Sequence, residues 1–294
     1  MRTNRHEWRA RWAALFVSIG IHSWLPLAAL ASDFDPKTAT MDDLLARVVR
    51  NGNTEERRAA KDEARQEIYA RKAVSFRYLM ERVHLDNVGL QVLAQEMIDQ
   101  LTANEAVPVL LDFATSVNPD TQRIAVFFLG FYPAAATNAD VILPLLTIDK
   151  TRNAAIRTLG KWHVTNAAPD IAVLLKDPKE RTRVAAANAL RDIGDPRSVG
   201  PLIDALSDQV FTVRYTAERA LKNFGAQAEP ALLVALSDAK VPALRHLIDL
   251  LAPLKPRKAY KPLTALLSHP DPYVREAAAK ALDGLKPRLR DRIF

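Results

Sequence analysis

Apolar residues in this chain recur at three- and four-residue steps, in short bursts interrupted by polar turns, and the bursts themselves recur about every thirty residues. Residues 177–208 show the unit clearly. Arg183, Ala186, Ala187 and Leu190 fall along one side of a helix, and the alanines at 185–187 and 189 leave room for a neighbouring helix to come close. Gly194 stands where a helix can end in a left-handed residue at no Cβ cost. Pro196 follows at the first turn of a second helix, whose apolar stripe is Val199, Leu202, Ile203 and Leu206. Ser207 and Asp208 are placed to cap the next copy.

Aligned on Arg183, the equivalent positions are Gln91, Gln122, Arg152, Arg183, Arg214, Arg245 and Arg275, at steps of 31, 30, 31, 31, 31 and 30 residues. Seven residues later stand Ile98, Leu129, Leu159, Leu190, Leu221, Ala252 and Leu282. The register predicts first-type helices over 88–101, 119–131, 149–161, 179–193, 208–223, 238–252 and 270–284. Second-type helices are predicted over 104–115, 138–147, 166–176, 197–207, 226–236 and 256–267. Pro108, Pro144, Pro169, Pro201, Pro230 and Pro262 all fall near second-type starts, where the missing N–H costs little. Helix pairs this short cannot bury their apolar sides alone and must stack on neighbours.

Residues 32–86 read as an N-terminal helical cap or first divergent repeat, ahead of regular repeats over 87–285 and a basic C-terminal tail, 286–294. Thr40 can cap a helix over 41–50. Asn53 and Glu56 make a capping-box start for a charged helix, 54–72, whose apolar side is only Ala60, Ala64 and Ile68. A further helix is expected over 74–85. The thin apolar side suits a terminal repeat with a wet outer face; a charged docking helix is the other reading.

The stretches TRVAAANALRDIGDP (182–196), TVRYTAERALKNFG (212–225) and DPYVREAAAKALDGL (271–285) resemble HEAT repeats, in particular the short HEAT-like repeats of the phycobilisome-lyase type. The resemblance covers most of 87–285. It implies an all-α fold: an α-solenoid, or armadillo-like superhelix, of about seven to eight two-helix repeats, with the Arg-bearing helices on the concave side.

Charge and leader alter the picture at the N-terminus. Residues 1–31 combine a basic start, MRTNRHEWRAR, a largely apolar run and Ala29-Leu30-Ala31, the layout of a secretory signal peptide cleaved after Ala31. An uncleaved anchor is the rival; Gly20, His22 and Pro26 speak against it. Cleavage removes four arginines and one glutamate and takes the formal charge from +7 to +4, so much of the basicity belongs to the leader. The chain has no cysteine, which removes disulfides, thiolate metal sites and a lipid-modified cysteine. A periplasmic or secreted location is expected.

Arg152, Arg183, Arg214, Arg245 and Arg275 each follow an aspartate by a few residues (Asp149, Asp177, Asp208, Asp238, Asp271) and read as a structural ladder that ties layers together. On the same helices, Arg157, Arg191, Tyr215, Arg219, Lys222, His246 and Lys280 are candidate partner-binding residues, with Arg123 extending a mildly basic strip. The aromatic run FFLGFY (127–132) reads as core, Tyr132 aligning with Trp162, Ile193, Phe224 and Leu285 and Phe127 falling outside it. His84, His163, His246 and His269 lack ligand spacing, and no nucleophile elbow, phosphate loop or dinucleotide fingerprint occurs.

The resulting expectation is an exported, non-catalytic scaffold that binds a protein or peptide partner, an acidic one among the candidates, with no cofactor, no metal and no nucleic acid. The alternatives are a bilin-lyase-like enzyme, from the resemblance, and a polyanion- or nucleic-acid-binding solenoid.

Overall fold

A computed structural model describes residues 35–49, 54–83, 88–238 and 241–285. The expected leader, 1–31, the basic tail, 286–294, and His84 lie outside the described residues. Those described form helices and connecting turns, with no strand among them. The chain divides into two compact units, the first ending at Phe128 and the second beginning at Leu129.

The first unit contains α1 (Met41–Val49), α2 (Glu55–Ala70), α3 (Lys72–Arg82), α4 (Val88–Ile98), α5 (Ala103–Ala114) and most of α6 (Pro119–Leu129). Thr40 and Asp43 cap α1 reciprocally, the Asp43 amide donating to Thr40 Oγ1 at 3.2 Å and the Thr40 amide to the Asp43 carboxylate at 3.2 Å. The described cap of α2 is Thr54, whose Oγ1 accepts from the Arg57 amide; Asn53 lies outside the described residues. On α2 the apolar side is as thin as its sequence implies: Ala64 and Ile68 are its buried residues. The break between α2 and α3 falls at Lys72, whose φ is 49°. Phe76, Leu79, Met80, Leu93, Met97 and Leu110 form the core. Arg71 fastens the segment before α1, its Nη2 donating to the carbonyls of Pro36, Lys37 and Ala39 at 2.9–3.2 Å.

The second unit is an α-solenoid of two layers. The first layer is α8 (Asp149–Lys161), α10 (Glu180–Ile193), α12 (Phe211–Phe224), α14 (Val241–Leu254) and α16 (Pro272–Leu285). Between them run second-layer segments in which α-turns are spliced to 3-10 turns: α7 (Ala139–Ile142), α9 (Ala168–Val173), α11 (Val199–Ala205), α13 (Glu229–Asp238) and α15 (Tyr260–Ala265) are their α-helical parts. Pro144 lies in a 3-10 turn, while Pro169, Pro201, Pro230 and Pro262 sit within three residues of an α-helical start, where a preceding 3-10 turn hands over to α-helix. Pro108 departs from the expectation: it lies in the second turn of α5, past the residues whose amides lack a partner. Gly194 ends α10 with φ 72°. Asp177 and Asp208 accept from the amides two residues on, those of Lys179 and Val210, each at 2.8 Å, which starts α10 and α12 later than Asp208 alone would suggest.

Small side chains set the closeness of the layer. Ala154, Ala155, Ala185, Ala186, Ala187, Ala189, Ala217 and Ala220 are buried. At Gly160 a Cβ would stand 2.9 Å from the Cα and Cβ of Ala189, so α8 and α10 touch through backbone there. Trp162, Ile193 and Phe224 close the ends of consecutive first-layer helices, and Trp162 Nε1 donates to the Leu129 carbonyl at 3.2 Å.

Candidate interaction surface

The ladder arginines sort by their partners. Arg183 makes a two-pronged ion pair with Asp208 (Nε–Oδ2 2.7 Å, Nη2–Oδ1 3.1 Å) while its Nη1 donates to the carbonyls of Asp177 and Pro178. Arg152 repeats the arrangement one copy earlier, reaching Asp177 at 3.1 Å and the carbonyls of Leu146 and Thr147. Each arginine therefore closes the end of the preceding second-layer segment and binds the aspartate six residues ahead of the next ladder position. That aspartate recurs at 177 and 208 only; the same register holds Ala239 and His269 further on. Arg214 and Arg275 keep the carbonyl half, donating to Asp208 and Gln209 and to His269 and Pro270. Arg245 is exposed, its guanidinium 5.4 Å from the Tyr273 ring centroid.

The outward stripe of the first layer holds the candidate binding residues, and their charges divide into committed and uncommitted. Arg191 is spent on Asp192 (2.8 Å) and the Asn188 side-chain oxygen (3.0 Å). Lys222 and His246 both converge on Glu218, at 2.5 and 2.7 Å, which links α12 to α14. Burial would push the Glu218 carboxyl up, but the bonds from Lys222 and His246 bring it below the usual carboxylate range. Arg157, Arg219 and Lys280 are exposed and make no hydrogen bond or ion pair among the described residues. Arg123, on α6, is half-buried.

Three residues that sequence reasoning passed over join this surface. Arg181, two residues before ladder position 183, is exposed and likewise without an ion pair among the described residues. Protein atoms crowding the Arg157 guanidinium, and secondarily the charge of Arg181, pull its pKa below the ordinary value, although the side chain is exposed over part of its length. Phe211 and Tyr215 stack with centroids 6.0 Å apart, 65% and 48% exposed, and Arg219 lies 5.9 Å from the Tyr215 ring. Tyr273 is exposed on α16. The signal for Phe211 and Tyr273 was their place off the apolar stripe of their own helices.

On the opposite layer, Ala168, Pro169, Ala172, Val173 and Pro201 line a shallow groove of about 510 Å³ between α9 and α11. Chemistry is sparse elsewhere. No group of three or more metal-ligating side chains gathers among the described residues. His269 Nδ1 accepts the Asp271 amide, and His163 is held by the Asp192 carbonyl. The aromatic run is core at Phe128 and Tyr132, half-buried at Phe127 and exposed at Phe131, where Lys161 lies 4.4 Å from the ring centroid.

A family model described as HEAT repeats matches residues 139–222 and 229–290. The "Uncharacterized phycocyanin operon protein Z" of Pseudanabaena tenuis (strain PCC 7409) is 30% identical over 165 residues, 51% of this chain and 82% of that protein. The chain belongs to the HEAT-repeat family. Among solved structures, the archaeal HEAT-like repeats protein from Thermococcus onnurineus NA1 is 16% identical, with a TM-score of 0.46 over 72% of this chain and 96% of that one. An engineered protein is 18% identical, with a TM-score of 0.45 over 83% of this chain and 78% of that one. HEAT membership accounts for the stacked layers.

Proposed function

We propose that this protein is an exported, non-catalytic HEAT-repeat scaffold that binds a protein partner on the first-layer face of its second unit. The observation that carries the reading is the split on that face. Arg191, Lys222 and His246 are each held by a carboxylate within the chain, whereas Arg157, Arg181 and Arg219 stand exposed without a carboxylate partner among the described residues, Arg219 beside the exposed Tyr215 that stacks on Phe211. Arginine and aromatic side chains are the types enriched where protein surfaces bind one another. Export rests on the sequence of 1–31; no described helix is long and apolar enough to cross a membrane. A photo-crosslinking residue at Asn188, centred on the face, should yield a discrete adduct in envelope extract, and one at Val173 on the opposite layer should not. Equal yields would remove the face from the proposal.

The phycocyanin operon relative favours a second reading, handling of bilins or of the proteins that carry them. Transfer of bilin fluorescence to an acceptor protein in the presence of this chain, absent without it, would establish that reading over the scaffold.

A further inference from the structure

Neighbouring first-layer helices of the second unit are not all joined alike. Among the described residues, α8 with α10, α10 with α12, and α14 with α16 lie side by side along much of their length, whereas α12 and α14 approach over only a small part of theirs. On the opposite layer the spacing is kept: α11 meets α13 as α9 meets α11. The seam between α12 and α14 is therefore open on the first-layer side and joined through the second layer, while Leu221, Leu232, Leu247 and Leu251 remain buried. A wedge of this form is the geometry of a hinge. The chain also turns differently here. Gly194 ends α10 at φ 72° and ψ 19°, but Gly225 ends α12 at φ 53° and ψ −127°, a conformation that residues with a Cβ avoid.

Polar side chains hold this seam. Four residues after the ladder arginine, α8 and α10 carry Ile156 and Ala187, both fully buried, whereas α12 carries Glu218. The Glu218 carboxylate accepts from His246 Nδ1 on α14 at 2.7 Å and from Lys222 Nζ at 2.5 Å. The side chains of Glu218 and His246 are 13% and 19% exposed, so water competes only weakly for the bond between them. The Arg–Asp tie of the two preceding joints is missing, Ala239 standing where they have Asp177 and Asp208. We propose that the α12–α14 seam is a hinge and that Glu218 and His246 are its clasp. With the clasp shut, α14 and α16 are fixed against α8, α10 and α12; with it open, they swing as one body about the second layer. The swing changes the angle between exposed Tyr215 and Arg219 on α12 and exposed Arg245 and Tyr273 on α14 and α16, so a partner spanning both meets a different surface in each state.

The test uses the full chain in a mild non-ionic detergent. The chain has no cysteine, so nitroxide labels attach only where one is introduced. Arg219→Cys with Asp249→Cys brackets the seam, and Arg157→Cys with Arg219→Cys spans α8 to α12 as the control; all three sites are exposed. Pulsed dipolar electron spin resonance reads the two distances. Adding Glu218→Ala or His246→Ala should broaden the seam distribution at least about twofold and move it to longer distance, leaving the control within about a quarter of its native width. A seam distribution that ignores loss of the clasp overturns the proposal, and so does a control that broadens as much as the seam. Circular dichroism melting checks folding. If the alanine variants do not fold, Glu218→Gln, which removes the charge at the same size, gives the same comparison with a smaller expected broadening, and an unmoved seam there overturns the proposal equally.

Discussion

Gly160 shows two opposed effects at one residue. Within a helix, replacing glycine by alanine gains about 1 kcal/mol of propensity. Here the new Cβ would meet the Ala189 backbone at 2.9 Å, and overpacking of this kind costs about 1–3 kcal/mol. Gly160→Ala should therefore lose about 1 kcal/mol net and Gly160→Val about 3 kcal/mol, read from urea unfolding midpoints. The ladder gives a graded comparison. Arg183→Met leaves the Asp208 carboxylate and two carbonyls without their partner, and charged hydrogen bonds of this half-buried kind are worth about 2 kcal/mol. Arg275→Met loses two carbonyl contacts on an exposed side chain, and its cost should stay below about 1 kcal/mol in the same assay. The arginine register was plain in the sequence. That its ion-pair half is confined to Asp177 and Asp208 was also written there, in Ala239 and His269, but it takes the folded geometry to show which preceding residue matters.

Among the elements, α12 and α14 are joined differently from their neighbours. No aspartate stands at 239 to meet Arg214, and the polar link is Glu218 to His246. The sign of its acid dependence follows from the lowered Glu218 pKa. A depressed carboxylate contributes stability above its unfolded value of about 4.3 and loses it as pH falls through the folded value. The difference in unfolding midpoint between wild type and Glu218→Gln should be present at neutral pH and shrink only in acid, as the pH falls below the ordinary carboxylate range and through the lowered Glu218 value. Asp149, held down by Lys179, and Asp195, held down by Arg197, push the whole chain in the same direction. First-layer helices were legible to within a few residues because a 3.6-residue apolar period is strong over three turns. Second-layer segments were legible as elements but not as 3-10/α composites, since proline announces a constrained turn without fixing which hydrogen-bond pattern surrounds it.

At the scale of the molecule, a solenoid's stability is a sum of repeats and of the interfaces between them. In the second unit α8, α10 and α12 are tied by Arg152–Asp177 and Arg183–Asp208, and α14 and α16 pack on one another without such a tie among the described residues. Hydrogen exchange followed by mass spectrometry should find α8, α10 and α12 opening as one slow block and α14 with α16 as a separate, faster one; a single common rate would contradict this. The sequence by itself determined the all-α repeat, its thirty-residue period and the buried side of nearly every helix, because periodic apolar spacing leaves no other way to exclude water. It also named Arg157 and Arg219, but together with Arg191, Lys222 and His246 and without separating them. Tertiary structure decided which cations are free. Whether a charge meets a carboxylate depends on the neighbouring helix, about thirty residues away in the chain, and that distance is closed only by packing.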